Sequence, residues 1–385
     1  MERDWHYGEN CGGRGEVEVM KKVLVLCTTD SMIWNFLVPH IKKMQENQVE
    51  VECACSRTGS YFDELTEKQG LVLHEIPFER SPYSKKNFIA YKKLLRLVKE
   101  NHYDTIFCHE PVGGAMGRLV GHRTKCKVIY MAHGFHFYKG APVINWLIYY
   151  HVEKLLAHYT DLLITINKED YLAAKKFKAK RVALINGIGI DINKFKKIET
   201  EYLREKYNLS KDDFILLTVG ELIPRKNHAT IIKAIAEMKN SRVHLFIAGE
   251  GELEKELKTL VEKEEMEEKI HFLGFCRNVN ELCNSCDAFI FPSVHEGLSV
   301  ALMEAMACGK PVIVSKIRGN VDLIEHKKGG FLVETNDVQG YEKAIEVLMK
   351  NKKLCEKFGS YNREKIAKYD VKYVEKQLEK LFTEC

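Results

Sequence analysis

Residues 288–307 read AFIFPSVHEGLSVALMEAMA, and this stretch decides how the rest of the chain is interpreted. Its first four residues are apolar and predict a buried strand, Ala288–Phe291, which a polar loop joins to a helical pattern. The free backbone amides and the dipole at the start of such a helix together make a seat for a phosphate group. The candidate residues for this seat are Glu296, Gly297, Leu298 and Ser299.

Glu304 lies two turns into the predicted helix, among Ala, Leu and Met residues. An inward carboxylate is costly unless it accepts hydrogen bonds, and ribose hydroxyls would supply the donors. The alternative is an exposed Glu304, with Glu296 only capping the helix. The apolar neighbourhood favours the inward position.

The same alternation of strand and helix runs along the whole chain. Strands are predicted at 22–27, 50–54, 71–76, 104–108, 127–131, 162–166, 181–185, 214–219, 244–248, 270–273, 288–291, 311–314 and 330–333. Helical patterns fall between them, for example at 30–46, 86–101 and 142–159. Strands separated by helices predict βαβ units and parallel sheets.

A charged stretch at 194–213 separates two such halves, so we expect two Rossmann-like domains, at residues 20–198 and 199–368. Residues 1–19 are polar and Gly-rich, which predicts a disordered extension, with Met20 as the expected true start. Residues 369–385 contain an amphipathic helix that we expect to cross back onto the first domain. Its apolar stripe consists of Val371, Val374, Leu378 and Leu381.

Two further loops follow predicted strands, where ligands of parallel sheets bind. Gly220–Asn227 reads GELIPRKN, and its adjacent cations Arg225 and Lys226 suit a diphosphate. The alternative for that loop is a solvated basic turn. His133 follows the strand at 127–131 and could place an imidazole in a cleft, although a structural role is the alternative.

Composition excludes several classes of protein. The chain has 385 residues, 45% hydrophobic and 29% charged, which is typical of a globular protein. Its net charge of +5 is too small for a dedicated nucleic-acid binder, and no apolar stretch of about 18 residues predicts a membrane span. The 12 cysteines are scattered and predict reduced thiols. The one CxxC pair, Cys283 and Cys286, lacks partners for a zinc site, so we expect buried structural cysteines.

Taken together, these motifs resemble the retaining glycosyltransferases of family 4. The resemblance is carried by HEGLSVALMEAMACGKPVI, in which seven residues separate Glu296 from Glu304, and by GELIPRKN, FIAGEGE, HFLGF and DAFIFPS. It spans residues 21 to about 382, and the first half resembles the bacterial capsule and exopolysaccharide branch. It implies an α/β GT-B fold, with two Rossmann-like domains facing across a cleft and a C-terminal helix crossing back to the first.

The resemblance also implies roles for single residues. The donor diphosphate would be held by Arg225 and Lys226, with the amides of Gly297, Leu298 and Ser299 near the phosphates. The ribose would be held by Glu304 and the transferred sugar by Glu296, while His133 would lie beside the donor sugar. Gly220 would line the nucleotide site and Phe275 would flank the base. One departure concerns residues 28–31, which read TTDS where many members carry a Gly-Gly pair, so Asp30 and Ser31 are weak acceptor-side candidates.

The implied activity is transfer of a sugar from a nucleotide donor, UDP-hexose or UDP-N-acetylhexosamine, to a lipid-linked or saccharide acceptor in surface polysaccharide synthesis. No metal or other cofactor is expected, because cations already face the leaving diphosphate and no Asp-x-Asp motif is present. The alternatives are a GT-B sugar-nucleotide epimerase or phosphorylase, and a catalytically silent nucleotide-binding scaffold at a membrane. An oxidoreductase is disfavoured because no G-x-G-x-x-G follows the first strand.

Residues 81–100 form a basic amphipathic helix pattern with six cations and one acid, a net +5. Such a helix is typical of docking on an anionic membrane surface, and the alternative is an ordinary helix with a solvated cationic face. The expected location is therefore cytoplasmic, peripheral on the inner face of the cell membrane. Residues 142–159 are either a second membrane contact or a buried helix, and the sequence favours the buried helix.

Overall fold

The computed structural model describes residues 22–384, so the expected extension at 1–19 and the expected start at Met20 lie outside the described residues. The first half forms a seven-stranded parallel sheet in the order β3-β2-β1-β4-β5-β6-β7. Its strands are β1 Lys22–Thr29, β2 Glu50–Ser56, β3 Val72–Glu75, β4 Thr105–His109, β5 Lys127–Ala132, β6 Leu162–Thr165 and β7 Arg181–Leu184.

Helices cover both faces of this sheet, because its strands are apolar on both sides. They are α1 Asp30–Met32, α2 Val38–Glu46, α3 Tyr61–Glu67, α4 Lys86–Asn101, α5 Pro111–Thr124, α6 Val143–Asn145, α7 His151–Leu156 and α8 Lys168–Ala174. Two π-helical turns, Ile33–Leu37 and Trp146–Tyr150, and a 3₁₀ turn, Ala157–Tyr159, interrupt or extend them. One face packs α4, α5 and α7 in a single layer against the sheet.

The second half repeats the architecture with six parallel strands in the order β10-β9-β8-β11-β12-β13. The strands are β8 Phe214–Val219, β9 Val243–Ala248, β10 Ile270–Gly274, β11 Ala288–Phe291, β12 Val312–Ser315 and β13 Gly330–Val333. The helices are α9 Tyr202–Tyr207, α10 His228–Met238, α11 Glu254–Lys263, α12 Val279–Ser285, α13 Val300–Ala307, α14 Asn320–Leu323, α15 Val338–Met349, α16 Lys352–Ile366 and α17 Val371–Thr383. The 3₁₀ turns Pro224–Lys226 and Ala367–Tyr369 complete them.

The last helix crosses back to the first half. The chain passes beside Ile190, whose amide donates to the Tyr369 carbonyl at 2.9 Å. Helix α17 then buries Val374, Leu378 and Phe382 against the first half, with the Phe382 ring 5.2 Å from that of Phe107. The expected fold of two Rossmann-like domains with a crossover helix is therefore confirmed.

The expectation of a buried helix at residues 142–159 is wrong in part. The structure places helices there, as predicted, but the segment is not buried, because its outer side exposes large apolar residues to solvent. The side chains that face outward are Val143, Ile144, Trp146, Leu147, Val152 and Leu155. The apolar side chains of this segment therefore lie on two sides, one packed on the first domain and one exposed to solvent.

All ten cysteines within residues 22–384 are free thiols, as the scattered pattern predicts. Cys283 and Cys286 are buried in the core, and the described chain contains no group of three or more His, Cys, Asp or Glu side chains placed to hold a metal ion. Over the same residues, no helix combines the length and the hydropathy that a membrane span requires.

Candidate active site

The order of strands brings the loops after β8 and β11 together. In the second sheet the direction of strand order reverses between these two neighbours, which leaves a crevice beyond their carboxyl ends. The loop after β8 carries Arg225 and Lys226, and the loop after β11 carries Glu296. The backbone links the two loops, since the Val294 amide donates to the Arg225 carbonyl at 2.9 Å.

The three charged side chains of these loops form one cluster. Glu296 Oε1 lies 2.7 Å from Arg225 Nη1 and 2.8 Å from Lys226 Nζ. Burial alone would raise the pKa of the Glu296 carboxyl, but Lys226 and Arg225 together hold that pKa below its ordinary value. Two cations and one carboxylate leave a charge of +1, so the cluster attracts an anion.

Helix α13 adds backbone donors beside this cluster. Among the described residues, none accepts a hydrogen bond from the amides of Gly297, Leu298 or Ser299. The Ser299 hydroxyl is used within the helix, where it accepts from the Leu302 amide at 3.3 Å, and the Leu298 side chain is buried. These positions therefore offer main-chain rather than side-chain groups to a ligand.

Glu304 lies on the same helix and is mostly buried, as the inward interpretation expects. Burial raises the pKa of its carboxyl to about 7, although Lys194 opposes that rise. No described residue forms a hydrogen bond with this carboxyl. The carboxyl thus has no hydrogen-bond donor within the described residues, which fits a group that receives donors from a ligand.

Gly220 and Phe275 lie at the ends of β8 and β10. A Cβ at Gly220 would lie 3.2 Å from Lys226 Cε, so the glycine leaves room for the lysine stem. The Phe275 amide donates to Glu250 Oε1 at 3.2 Å, while its ring is exposed and makes none of the ring contacts found among the described residues. Gly220 thus joins the charged cluster, whereas the structure does not join Phe275 to it.

The main chain of His133 contacts this site from the first domain. A Cβ at Gly297 would overlap the His133 carbonyl oxygen, so the two domains touch by their backbones at this point. The His133 ring places Nε2 3.0 Å from Nδ1 of His109, which is fully buried. Burial, with a contribution from His40, lowers the pKa of His133 to about 4, so its imidazole is neutral near pH 7.

Sequence analysis missed a buried arginine that bridges the domains. Arg318 follows β12 and donates from Nε to the Glu296 carbonyl at 3.0 Å. Its Nη1 lies 2.6 Å from Asp170 Oδ1 in the first domain, and both side chains are buried. Its guanidinium also lies 5.0 Å from the ring centroid of Tyr138, which stacks on His295 with centroids 4.4 Å apart. The sequence signal that could have identified Arg318 is its position in the loop after a predicted strand.

Asp30, a weak acceptor-side candidate from the sequence, already forms hydrogen bonds within the first domain. It is fully buried and accepts hydrogen bonds from the Ser31 and Thr58 amides at 2.9 and 3.1 Å and from the Thr58 hydroxyl. A different acid, Glu110, stands at the corresponding edge between β1 and β4. Its Oε2 accepts from the Thr28 amide at 2.7 Å, and its backbone has φ 60° and ψ 164°, a strained conformation for any residue but glycine.

Comparison with known proteins bears on both domains. Residues 199–365 match the family profile described as glycosyl transferases group 1, and residues 22–167 match the profile described as glycosyl transferase 4-like. The chain is 38% identical over 355 residues to EpsD of Bacillus subtilis strain 168, to which a glycosyltransferase activity is ascribed. That match covers 89% of this chain and 91% of EpsD.

A second relative is the UDP-Gal:alpha-D-GlcNAc-diphosphoundecaprenol alpha-1,3-galactosyltransferase of Escherichia coli. It is 30% identical over 314 residues, 78% of this chain and 80% of the relative. Among solved structures, Anabaena HepE in complex with UDP superposes with a TM-score of 0.80 at 20% identity. That superposition covers 95% of this chain and 100% of HepE, and the likeness shows a shared fold.

Proposed function

The chain belongs to the GT4-type glycosyltransferases of bacteria, and from that membership we propose that it moves a hexose or N-acetylhexosamine from a UDP-sugar to a lipid-linked saccharide, with retention of the anomeric configuration. The name of the E. coli relative, which contains both UDP-Gal and a diphosphoundecaprenol acceptor, supports this donor and this acceptor. HepE complexes with UDP and with UDP-glucose support the same nucleotide. The relatives' names favour a transferase over an epimerase or a silent scaffold.

The observation that carries the proposal is the cluster of Arg225, Lys226 and Glu296 beside the start of α13. Breaking the anomeric bond leaves a nucleoside diphosphate with additional negative charge. In the proposed binding mode, two cations and the free amides at the start of α13 face this charge, and one preorganised contact of this kind contributes roughly 3–4 kcal/mol to stabilisation of the transition state. With these groups in place, we expect turnover to persist in EDTA.

Retention by front-face attack fits the same geometry. Both Arg225 and Lys226 bind Glu296 Oε1, so this carboxylate is held as a positioning group and not presented as a nucleophile. His133 is neutral and lies at the contact between the domains, where it can hydrogen-bond a sugar hydroxyl. We assign Glu304 to the ribose hydroxyls, because no described residue donates a hydrogen bond to its buried carboxyl.

A thermal-shift panel with UDP, GDP, ADP, NAD and several UDP-sugars tests the donor. A ligand at 100 times its dissociation constant stabilises a protein by about 2.7 kcal/mol, which is readily measured. We expect stabilisation by UDP and by one UDP-sugar, which then enters an assay with lipid-linked acceptors and NMR of the product anomer. Stabilisation by GDP or ADP alone would mean that the donor carries that nucleotide and not UDP. The absence of a response to any sugar nucleotide would favour the catalytically silent scaffold.

Two variants test the site itself. Arg225→Ala is expected to reduce turnover more than affinity, because its charge faces the leaving group, whereas Glu304→Ala is expected to weaken UDP binding. The exposed residues Arg242 and Glu256, changed to Ala, are the matched controls. Unchanged kinetics and binding in Arg225→Ala and Glu304→Ala would refute the assignment.

A further inference from the structure

The segment from Val143 to Leu155 presents an apolar surface that nothing in the described chain covers. Its exposed apolar side chains range from Trp146, 40% exposed, to Val143, 73% exposed. Val143 and Leu147 lie four residues apart and so share one side of the segment, and Leu155 is exposed near its other end. A patch of this kind on a folded domain marks an interaction site.

The opposite side of the segment is anchored to the domain. Glu153 Oε2 accepts a hydrogen bond from Arg118 Nη1 of α5 at 2.7 Å, and Leu156 is buried. The Trp146 ring lies 5.4 Å from Phe137. The exposed apolar side chains are thus held rigidly outward, and the only acid between residues 139 and 158, Glu153, is buried in an ion pair and away from the surface.

Positive charge lies at both ends of this apolar surface, beside one acid, Glu169, whose Oε1 accepts from the Lys139 amide at 2.7 Å. Lys139 and Lys154 are exposed at its two ends. Helix α5 packs between the segment and α4, so α4 belongs to the same layer. The exposed side of α4 carries two apolar residues, Phe88 and Ile89, among exposed cations. Those cations are Lys85, just before the helix, and Lys86, Lys92, Lys93, Arg96 and Lys99 within it. Lys86 and Arg96 form exposed ion pairs with Glu79 and Glu100.

We propose that the Val143–Leu155 segment inserts its exposed side chains into a bilayer that contains anionic lipids, while α4 binds the headgroups. Amphipathic helices that bind membranes lie roughly 5–10 Å deep in the interface. This arrangement differs from docking by residues 81–100 alone, because more of the exposed apolar side chains belong to Val143–Leu155 than to α4.

The position of the segment connects this surface to the active site. Asn145 donates from Nδ2 to the His136 carbonyl at 2.7 Å, and the neighbouring Tyr138 stacks on His295 across the domain contact. The inserted end therefore lies beside the cleft, where a lipid-linked acceptor can enter without leaving the bilayer. The acceptor rests on the proposed function, whereas insertion itself is tested without it.

A second copy of the chain fits this surface less well. A symmetric contact would bring Lys139 and Lys154 of one copy against the same cations of the other, with no exposed acid on the segment to offset them. An anionic bilayer supplies both the apolar phase and the opposite charge.

Vesicle co-sedimentation of the full chain tests insertion, with phosphatidylcholine vesicles made with and without phosphatidylglycerol. We expect Leu147→Asp and Leu155→Asp each to weaken binding to the anionic vesicles about tenfold or more, because a charged side chain would enter the apolar boundary. Leu147→Phe should bind like the parent protein. Val347→Asp, an equally charged change at an exposed apolar position of the second domain, should have no effect.

Three results would overturn the inference: no sedimentation of the parent protein, full binding by Leu147→Asp, or a dimer on a sizing column that Leu147→Asp separates while vesicles bind neither form. The thermal shift by UDP, measured on every variant, shows that the fold and site are intact. Vesicle binding without any response to sugar nucleotides would refute the proposed function but support membrane insertion by this segment.

Discussion

Glu296 and Glu304 belong to one sequence motif, yet their carboxyls occupy opposite electrostatic surroundings. Lys226 and Arg225 hold the pKa of Glu296 below its ordinary value despite burial, whereas burial raises the pKa of Glu304 to about 7. The first carboxylate is therefore ionised at any physiological pH. The second changes its charge near neutrality and is the group through which pH acts on the site.

Glu304 makes the stability of the unliganded protein depend on pH. Its pKa in the folded chain, about 7, lies above the ordinary value of 4.5. The stabilisation from its neutral form is thus present below pH 4.5 and is lost as the pH rises through about 7. We expect Glu304→Gln to raise the free energy of unfolding at pH 8 by on the order of 3 kcal/mol, with a much smaller gain at pH 5.

Urea unfolding of Glu304→Gln at the two pH values checks this expectation, and Glu256→Gln on the exposed side of α11 is the control. An equal gain at both pH values would contradict the assignment of the shift to this carboxyl. If ribose hydroxyls donate to Glu304, UDP binding lowers the same pKa and releases a proton near pH 6.5, which calorimetry in two buffers detects.

Single residues differ in how far the sequence could predict them. Arg225, Lys226 and Glu296 all lie in loops that follow neighbouring strands at one sheet edge, so the rule for parallel sheets brings them together. Arg318 also follows a strand, but its partner Asp170 lies 148 residues earlier and in the other domain. No periodicity or spacing within one chain predicts a pair of that kind.

At the scale of elements, the strands were predictable because short, mostly apolar runs alternate with helical patterns, even where a polar residue such as Glu52 or His244 interrupts a run. Small shifts have local reasons: the strand predicted at 311–314 begins at Val312 because Pro311 has no amide hydrogen to contribute to the ladder. Residues 142–159 were less clear, because a hydrophobic run with one buried and one exposed side has the same composition as a wholly buried helix. Only the packing of the layer distinguishes the two.

The crossover helix α17 makes a prediction about stability. Leu378 lies in its buried stripe, between Val374 and Phe382. We expect Leu378→Ala to lower the free energy of unfolding by roughly 2–5 kcal/mol, because it removes buried methyl groups and leaves a cavity. Urea unfolding is the measurement, and Tyr373→Ala, on the exposed side of the same helix, should change it little. Equal effects of the two changes would mean that α17 does not stabilise the first domain.

At the scale of the whole molecule, Arg318 joins three parts of the protein. It binds Asp170 of the first domain, the main chain at Glu296, and the face of Tyr138. Because both charged side chains are buried, neither can exchange its partner for water without cost. The relative position of the domains is thus coupled to the placement of the glutamate that we assign to the transferred sugar.

Asp170→Asn tests this coupling. Removing one partner of a buried ion pair leaves the other charge uncompensated, so we expect the free energy of unfolding to fall by about 3–5 kcal/mol. The radius of gyration from small-angle X-ray scattering is expected to increase as the domains separate. Glu334→Gln breaks the exposed pair with Lys316 and should cost at most about 1 kcal/mol. A compact Asp170→Asn with parental stability would refute the coupling.

The contact of Gly297 with the His133 carbonyl has a consequence for how closely the domains can approach. Gly134 of the first domain and Gly319 of the second flank the same contact, so main-chain atoms meet there, with the Arg318 guanidinium beside Gly134. At this point main-chain atoms, which cannot change rotamer, set the closest distance between the two domains. One added methyl group at position 297 would overlap the His133 carbonyl oxygen and hold the two domains apart at this point.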